Sequence, residues 1–291
     1  MPLRPYLTLL RPANLVTAVA DVLAGASVAA AVSGHWSEAL PWLCLATLGL
    51  YGGGVVFNDV FDVDLDRIER PERALPSGEV TLASAILLGG LCLLGGIGLA
   101  GIAGGDSAAI ALAVAALALL YDARAKHHPV FGPLFMGLCR GGNLLLGISL
   151  SAAALHAYWW LGVLPVVFIA AITLTSRGEV GGNNRASIQL ALALDTAVAV
   201  ALLLIGRFTL ADLGPALPFL LLWYGMNARA KVAAIRENRP DRIRTAVKTG
   251  VLSLIPLNAC LAAAFMGLPA GGLVLLLLPL SYGLARYFSV T

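Results

Sequence analysis

An apolar run that ends in a cluster of acids occupies residues 40–66: LPWLCLATLGLYGGGVVFNDVFDVDLD. Its apolar part, residues 40–57, is long enough to cross a bilayer as a helix. Carboxylates beside lipid are costly, so the acids that follow need compensating partners. Asn58, Asp62 and Asp66 recur every four residues and therefore share one face of a helix. Such oxygen ligands suit a hard cation such as Mg2+, although a solvated acidic helix end is the simpler alternative.

The composition of the whole chain indicates a membrane protein. Hydrophobic residues make up 59% and charged residues 12% of the 291 residues, unlike an ordinary soluble domain. Ten apolar stretches approach the roughly 20 residues that a helical span needs. We expect spans at 13–33, 39–58, 81–103, 106–121, 133–154, 158–176, 188–206, 212–230, 246–266 and 270–288. The prediction is a single all-α domain over residues 1–291, a polytopic transmembrane bundle of nine to ten helices around a central cavity.

Lysines and arginines are distributed unequally between the two sets of loops. They precede the first predicted span and occur after the second, fourth, sixth and eighth, whereas the alternate loops contain one, Arg207. By the positive-inside rule, the N-terminus and the basic loops face the cytoplasm. We expect an integral protein of the bacterial inner (plasma) membrane whose acidic cluster faces the cytoplasm. These loops and anionic lipid explain the net charge of +3, so we predict no nucleic acid partner.

A basic loop follows the acidic cluster, and the two together carry a signature. Residues 67–78 read RIERPERALPSG. The pattern N-D-x-x-D-x-x-x-D followed by R-P-x-R-x-L-P-S-G resembles the first signature of the UbiA family of intramembrane prenyltransferases. The resemblance covers nearly the whole chain in segment order, including an opening segment in which Asn14 is a candidate substrate contact. It implies that Mg2+ holds a prenyl diphosphate and that the isoprenoid chain passes to a small acceptor, often an aromatic ring.

The resemblance assigns roles within the first signature. Asn58, Asp62 and Asp66 would bind Mg2+, and the two aspartates would also be catalytic. Arg70 and Arg73 would bind the diphosphate. These assignments predict a UbiA-like fold with its donor site at the cytoplasmic end of the second span.

The end of the fourth span matches the family pattern inexactly. Family members carry a tyrosine followed four residues later by a lysine that contacts the diphosphate. Here Tyr121 is followed at that spacing by Ala125, with Arg124 and Lys126 on either side. Which cation turns inward is open, and Lys126 is the candidate substrate ligand. Tyr121 is a catalytic candidate that would stabilise an allylic cation through its ring, or else an interfacial aromatic anchor.

The chain departs from the family at the end of the sixth span, where a second motif, D-x-x-D-x-x-G-D, is usual. Residues 176–184 read SRGEVGGNN, a string that also resembles the EboC branch of UbiA-like proteins. Ser176 and Asn183 stand where acids would be, and Glu179 is the remaining candidate metal ligand. Losing carboxylates lowers the affinity for hard cations. Arg177 would offset the loss by binding phosphate directly, or else it is a positive-inside residue paired with Glu179.

Charged residues inside the predicted spans are further candidates. An arginine within a span is costly unless it faces a partner or a watery cavity. We therefore expect Arg140 to be catalytic and, with Asn143, to contact substrate. The alternative is a structural ion pair between Arg140 and Asp59 or Asp62. Two more acids either orient the acceptor or are hydrogen-bonded within the bundle: Asp21 and Asp195.

These residues together predict an Mg2+-dependent membrane prenyltransferase. Metal and cationic side chains would spread the charge of the leaving diphosphate, and an apolar cavity would keep water from the carbocation. The predicted partners are a prenyl diphosphate, an unidentified acceptor and membrane lipids, with no obligatory protein partner. We expect one cavity to be lined by the four metal candidates: Asn58, Asp62, Asp66 and Glu179. The alternative, favoured by the degenerate second motif, is a UbiA-fold transporter or scaffold for a lipid-like metabolite.

Overall fold

The computed structural model describes residues 3–126, 128–177, 179 and 182–288. Within these residues the chain is helical and forms no β-strand. The α-helices are α1 (Arg4–Leu10), α2 (Pro12–Ser33), α3 (Leu40–Phe61), α4 (Val63–Glu69), α5 (Leu82–Ala103), α6 (Gly105–Leu120), α7 (Phe131–Ile148), α8 (Ala152–Tyr158), α9 (Val163–Ser176), α10 (Arg185–Ile205), α11 (Leu213–Arg236), α12 (Pro240–Leu252), α13 (Leu254–Leu275) and α14 (Leu277–Leu284). A π-helical turn, Tyr121–Ala125, extends α6, and a 3-10 turn, Trp159–Gly162, joins α8 to α9.

The prediction of an all-helical membrane bundle is confirmed. Among the described residues, eight helical stretches are long and apolar enough to cross a membrane, judged by length and composition. The last of them, Pro240–Leu284, extends over 45 residues and is too long for a single crossing. It comprises α12, α13 and α14.

Gly267 divides this last stretch into two segments. Its backbone has φ +80° and ψ 177°, a conformation that glycine adopts without steric penalty. A Cβ added to Gly271 would lie 2.7 Å from the Cβ of Ala263, which requires the chain to fold back between them. The two segments correspond to the predicted spans 246–266 and 270–288.

The boundary between the fifth and sixth predicted spans is wrong. The fifth, predicted as 133–154, ends at Ile148, and α8 begins before the predicted start of the sixth. The hydroxyl of Ser151 accepts a hydrogen bond from the backbone N–H of Ala154 at 3.2 Å and so caps α8. A serine N-cap of this kind fixes where a helix begins, and a hydropathy window does not register this effect.

Two glycines bring α2 and α7 into backbone contact. A Cβ on Gly25 would lie 2.1 Å from the carbonyl oxygen of Leu144, and one on Gly147 would lie 2.2 Å from that of Val22. Only residues without a side chain permit this approach. The crossing places the polar residues of α2 beside those of α7.

The largest apolar core lies among α2, α9, α10, α11 and α13. Phe168 and Trp223 are buried at its centre and pack edge to face, with ring centroids 5.2 Å apart. Ile169 and Ile172 of α9 belong to this core and also line the cavity described next. The core therefore holds one wall of that cavity in place.

Candidate active site

A cavity of about 730 Å³ lies among α2, α3, α6, α7, α9 and α12, within the range of small-molecule sites. Eight predicted site residues line it: Asn14, Asn58, Tyr121, Lys126, Arg140, Asn143, Arg177 and Glu179. Four others do not: Asp62, Asp66, Arg70 and Arg73. The expectation that all four metal candidates line one cavity therefore holds for Asn58 and Glu179 alone.

The acidic cluster is stacked as its spacing predicts, but cations engage it. After α3 ends, Asp62 interrupts the helix for one residue, and the backbone N–H of Asp66 still bonds to the Asp62 carbonyl at 2.8 Å. The ammonium of Lys126 donates to Oδ1 of Asp62. Nη1 of Arg73 donates to Oδ2 of the buried Asp66 at 2.8 Å. Both aspartates are therefore paired with cations, and neither belongs to the cavity lining.

Arg11 and Asp59 extend this network and were not predicted as site residues. Nη2 of Arg11 donates to Oδ1 of Asp59 at 2.7 Å, and Nη1 of Arg73 reaches the same oxygen at 3.4 Å. Arg11 joins α1 to α2 with φ +48°, a left-handed conformation uncommon outside glycine. Such backbone strain recurs at ligand sites, and Arg11 lines the cavity.

The π-helical turn determines which cation at the end of the fourth span lines the cavity. The backbone N–H of Lys126 bonds to the carbonyl of Tyr121 at 2.9 Å, five residues earlier. This turn places Lys126 and Tyr121 together in the cavity wall, while Arg124 is exposed. π-Turns within α-helices occur frequently at functional sites.

Asp122 lies in the same turn and was not predicted as a site residue. The residue is 4% exposed and lines the cavity. Oδ1 of Asp122 accepts a hydrogen bond from Nδ2 of Asn58 at 2.7 Å. This bond uses the Nδ2 of Asn58, and no bond of its Oδ1 occurs among the described residues.

The region after α9 contributes one acid and one base to the cavity mouth. Nη2 of Arg177 donates to the carbonyl oxygen of Pro129. Glu179 is partly buried, and this burial raises its pKa, while the positive charges of Arg244 and Arg70 oppose the rise. Arg177 makes no ion pair with Glu179 among the described residues. Three residues of the second-motif string lie outside the described residues: Gly178, Val180 and Gly181.

Arg140 lies at the deep end of the cavity, and its ion-pair partner is neither Asp59 nor Asp62. Nη1 of Arg140 donates to Oδ2 of Asp21 at 2.7 Å, and Nη2 donates to the hydroxyl of Thr17. The glycine crossing of α2 and α7 makes this pairing possible. Two further contacts complete the deep end: Asn258 Nδ2 to Asp21 Oδ1 at 2.6 Å and Thr47 Oγ1 to Asn143 Oδ1 at 3.1 Å.

Asp195 lies away from the cavity. Nζ of Lys231 donates to its Oδ2 at 2.5 Å, and both side chains are sealed in the core. The hydrogen-bonded alternative for Asp195 therefore agrees with the geometry better than acceptor binding does.

The comparison of sequences decides the family. The profile of the UbiA prenyltransferase family matches residues 18–246. The chain belongs to this family. A digeranylgeranylglyceryl phosphate synthase from Methanopyrus kandleri is 28% identical over 219 residues, which are 75% of this chain and 79% of that relative. Synthases of the same name from Methanoculleus marisnigri and Methanothrix thermoacetophila are 32% identical, and this chain matches 52% and 57% of their lengths.

Solved structures agree with the UbiA fold. A digeranylgeranylglyceryl phosphate synthase structure superposes with a TM-score of 0.70 at 18% identity, covering 91% of this chain and 98% of that one. A UbiA homologue from Archaeoglobus fulgidus, bound to GPP and Mg2+, superposes with a TM-score of 0.58 at 16% identity, covering 93% and 99%. At these identities the likeness shows the fold.

The oxygen donors at the cavity and directly beside it fit Mg2+. Among the described residues, no group of three or more His, Cys, Asp or Glu is placed to hold a metal ion by itself. Asn58, Asp62 and Asp122 offer amide and carboxylate oxygens, which Mg2+ prefers, and Mg2+ ordinarily takes further ligands from water and substrate phosphates. The donors that this chain offers therefore suit an Mg2+ ion that takes its remaining ligands from water or phosphate rather than from protein alone.

Proposed function

We propose that this UbiA-family protein transfers an isoprenyl chain from a prenyl diphosphate to a small acceptor, with Mg2+. The observation that carries the proposal is the division of this cavity between charged side chains at its mouth and an apolar wall. Charged side chains, including Lys126 and Arg177, line one end, and apolar ones, including Leu50, Val114 and Ile172, line the wall. A prenyl diphosphate has the same division between an anionic head and an apolar tail.

Cationic side chains at the mouth would bind the diphosphate. Arg11, Lys126 and Arg177 all line the cavity there. A guanidinium binds phosphate oxygens with two parallel hydrogen bonds, and an ammonium acts as a point charge. We propose that Lys126 shifts part of its interaction from Asp62 to the diphosphate, which would free that carboxylate.

Mg2+ would be held by Asn58 and Asp62, with Glu179 at the mouth. When bound, it neutralises charge that develops on the departing diphosphate. The C1–O bond of the donor would break with its electron pair remaining on the diphosphate. Fixed positive charges in a site that excludes water stabilise that leaving group, which lowers the barrier.

The apolar wall would protect the allylic carbocation. Tyr121 lines the cavity beside Lys126, where its ring face can stabilise positive charge at C1. Side chains such as Val114 and Ile172 would exclude water, so that the acceptor rather than water is alkylated. The acceptor's nucleophilic atom would bond to C1 and release a proton.

The deep end of the cavity is the proposed acceptor site. The guanidinium of Arg140 lies 5.1 Å from the centre of the Tyr51 ring, and Asn143 lines the same region. An aromatic acceptor could stack on this platform and hydrogen-bond to Asn143, in line with the acceptor expected from the sequence. The name of the archaeal relatives, digeranylgeranylglyceryl phosphate synthase, makes a glyceryl phosphate lipid the second acceptor class to test.

We also propose that the cavity mouth faces the cytoplasm. The basic loops lie at the same end of the helices as Asn58, Lys126 and Arg177. The positive-inside rule assigns that end to the cytoplasmic side. Prenyl diphosphates, which are charged, would then enter from the aqueous side on which they dissolve.

One observation favours the transporter or scaffold alternative. Asp59, Asp62 and Asp66 each contact an internal cation, which would also neutralise a metal site no longer in use. A passive protein would bind its lipid-like ligand by the apolar wall. Binding would then depend little on Mg2+ or on these carboxylates.

Donor binding in lipid nanodiscs separates the two functions. Geranyl, farnesyl and geranylgeranyl diphosphate would be titrated with Mg2+ and with EDTA, using wild type, Asp62→Asn and the exposed control Asp64→Asn. We expect Mg2+-dependent binding that weakens at least about tenfold in Asp62→Asn, because a charged ligand oxygen is lost, and that is unchanged in Asp64→Asn. Donor affinity that is unchanged by EDTA and by Asp62→Asn would support the transporter or scaffold function instead.

A further inference from the structure

The π-helical turn at Tyr121–Ala125 buries a carboxylate in the cavity wall. A π-turn holds one residue more than an α-turn, because its hydrogen bond closes over five residues. The extra residue allows Tyr121, Asp122 and Lys126 all to line the cavity. A regular α-helix spaces inward residues by three or four and would not keep Tyr121 and Lys126 in one register. The turn therefore gives Asp122 a place at the site.

Asp122 differs from the other acids of this region in its partners. Asp59, Asp62 and Asp66 each form a salt bridge with an arginine or lysine. Asp122 forms no salt bridge with any described residue, and its Oδ2 has no hydrogen-bond partner among them. Lys126 and Arg11 act on its charge only from a distance, without an ion pair, so this residue, which is 4% exposed, still has an oxygen open to a closer positive charge.

The charge balance of the site indicates what that partner is. The cations Arg11, Arg73 and Lys126 are matched by the three salt-bridged aspartates, so these six side chains cancel. Asp122 adds one negative charge beside the amide of Asn58, whose oxygen is also available. An amide oxygen and an unpaired carboxylate oxygen, both in one cavity wall, are ligands for a hard cation.

We propose that Asp122 is a ligand of the Mg2+–diphosphate head, acting with Asn58 and Asp62. The inference rests on the proposed function and adds a residue to its donor site. It also accounts for the sparse carboxylates of residues 176–184, where the sequence offers Glu179 alone. Asp122 supplies the missing anionic oxygen from the π-helical turn that follows α6.

The test measures metal binding directly, without an acceptor. Asp122→Asn removes the charge but keeps an oxygen that can accept the Asn58 hydrogen bond, so the local packing is retained. Asp122→Glu keeps the charge on a longer side chain. Both would be compared in nanodiscs with wild type and Asp62→Asn. One measurement titrates geranyl diphosphate at varied Mg2+ concentration. The other uses electron paramagnetic resonance to count the Mn2+ ions bound in the presence of geranyl diphosphate.

We expect Asp122→Asn to raise the Mg2+ concentration for half-maximal geranyl diphosphate binding about tenfold or more and to reduce bound Mn2+. Asp122→Glu should recover much of both signals. Unchanged Mg2+ dependence in Asp122→Asn, with a loss in Asp62→Asn, would overturn the role of Asp122 and leave the proposed function standing. Metal-independent binding by wild type, or no binding, would overturn both.

Discussion

Two buried ion pairs in this bundle have the same chemistry and different surroundings. Arg140 and Asp21 join α7 to α2, and Arg140 lines the cavity. Lys231 and Asp195 join α11 to α10 inside the apolar core. Each cation also lies over an aromatic ring, at 5.1 Å for Arg140 and 5.8 Å for Lys231.

The difference lies in how fully each pair is satisfied and whether a ligand can reach it. Both oxygens of Asp21 accept side-chain hydrogen bonds, from Arg140 and Asn258. Oδ1 of Asp195 is buried without a hydrogen-bond partner among the described residues. A charge inside a membrane span is often functional. This comparison shows that access to a cavity is what separates a candidate binding residue from a structural pair.

The largest expected effect is the loss of stability in Lys231→Met. The change leaves Asp195 as an uncompensated charge in the core, which costs about 3–5 kcal/mol of unfolding free energy. Thermal unfolding of the purified protein in one detergent, with ligand omitted, would measure the effect against wild type.

The control for this variant removes both charges. Lys231→Met with Asp195→Leu leaves no unpaired ion, so most of the lost stability should return. We also expect the double variant to bind geranyl diphosphate as wild type does, since neither residue lines the cavity. A double variant that is stable yet cannot bind the donor would contradict a purely structural role for this pair.

Arg140→Met should destabilise the protein less than Lys231→Met. Asp21 keeps its bond to Asn258, and the truncated side chain at position 140 borders the cavity, so water can enter the space that the guanidinium filled. The loss of charged hydrogen bonds at such a site costs about 1.5–3 kcal/mol. The same unfolding measurement checks the order of the two variants. A larger loss for Arg140→Met would mean that the deep end of the cavity is as dry as the core.

Arg140 could be predicted as a candidate site residue because it lies amid apolar residues within a span. The alternative interpretation named Asp59 or Asp62 as its ion-pair partner, whereas the partner is Asp21, because the pairing depends on how α2 crosses α7. Gly25 and Gly147 permit that crossing. In the sequence, neither glycine is distinguishable from the other glycines of the spans. A local sequence motif therefore does not predict contacts between helices that are far apart in the chain.

Lys231 and Asp122 were missed for two different reasons. Lys231 belongs to a basic stretch at the end of α11 that resembles a cytoplasmic boundary. The composition of that stretch does not indicate that the Lys231 side chain is buried and paired with Asp195. Asp122 lies within a pattern that matched the family inexactly, and the inexact Tyr121-to-Lys126 spacing was the available signal. The overall helical fold was predictable because hydropathy and span length determine it.

The smallest expected effect concerns the ring beneath Arg140. Tyr51→Leu removes the cation–π contact at 5.1 Å but leaves the Asp21 ion pair intact, so we expect a stability loss of about 0.5–1 kcal/mol. Tyr51→Phe keeps the ring and should lie between Tyr51→Leu and wild type in thermal unfolding. A loss as large as that of Arg140→Met would show that the ring, rather than Asp21, holds the guanidinium in place. The two pairs would then differ in what anchors the cation, and not only in access to the cavity.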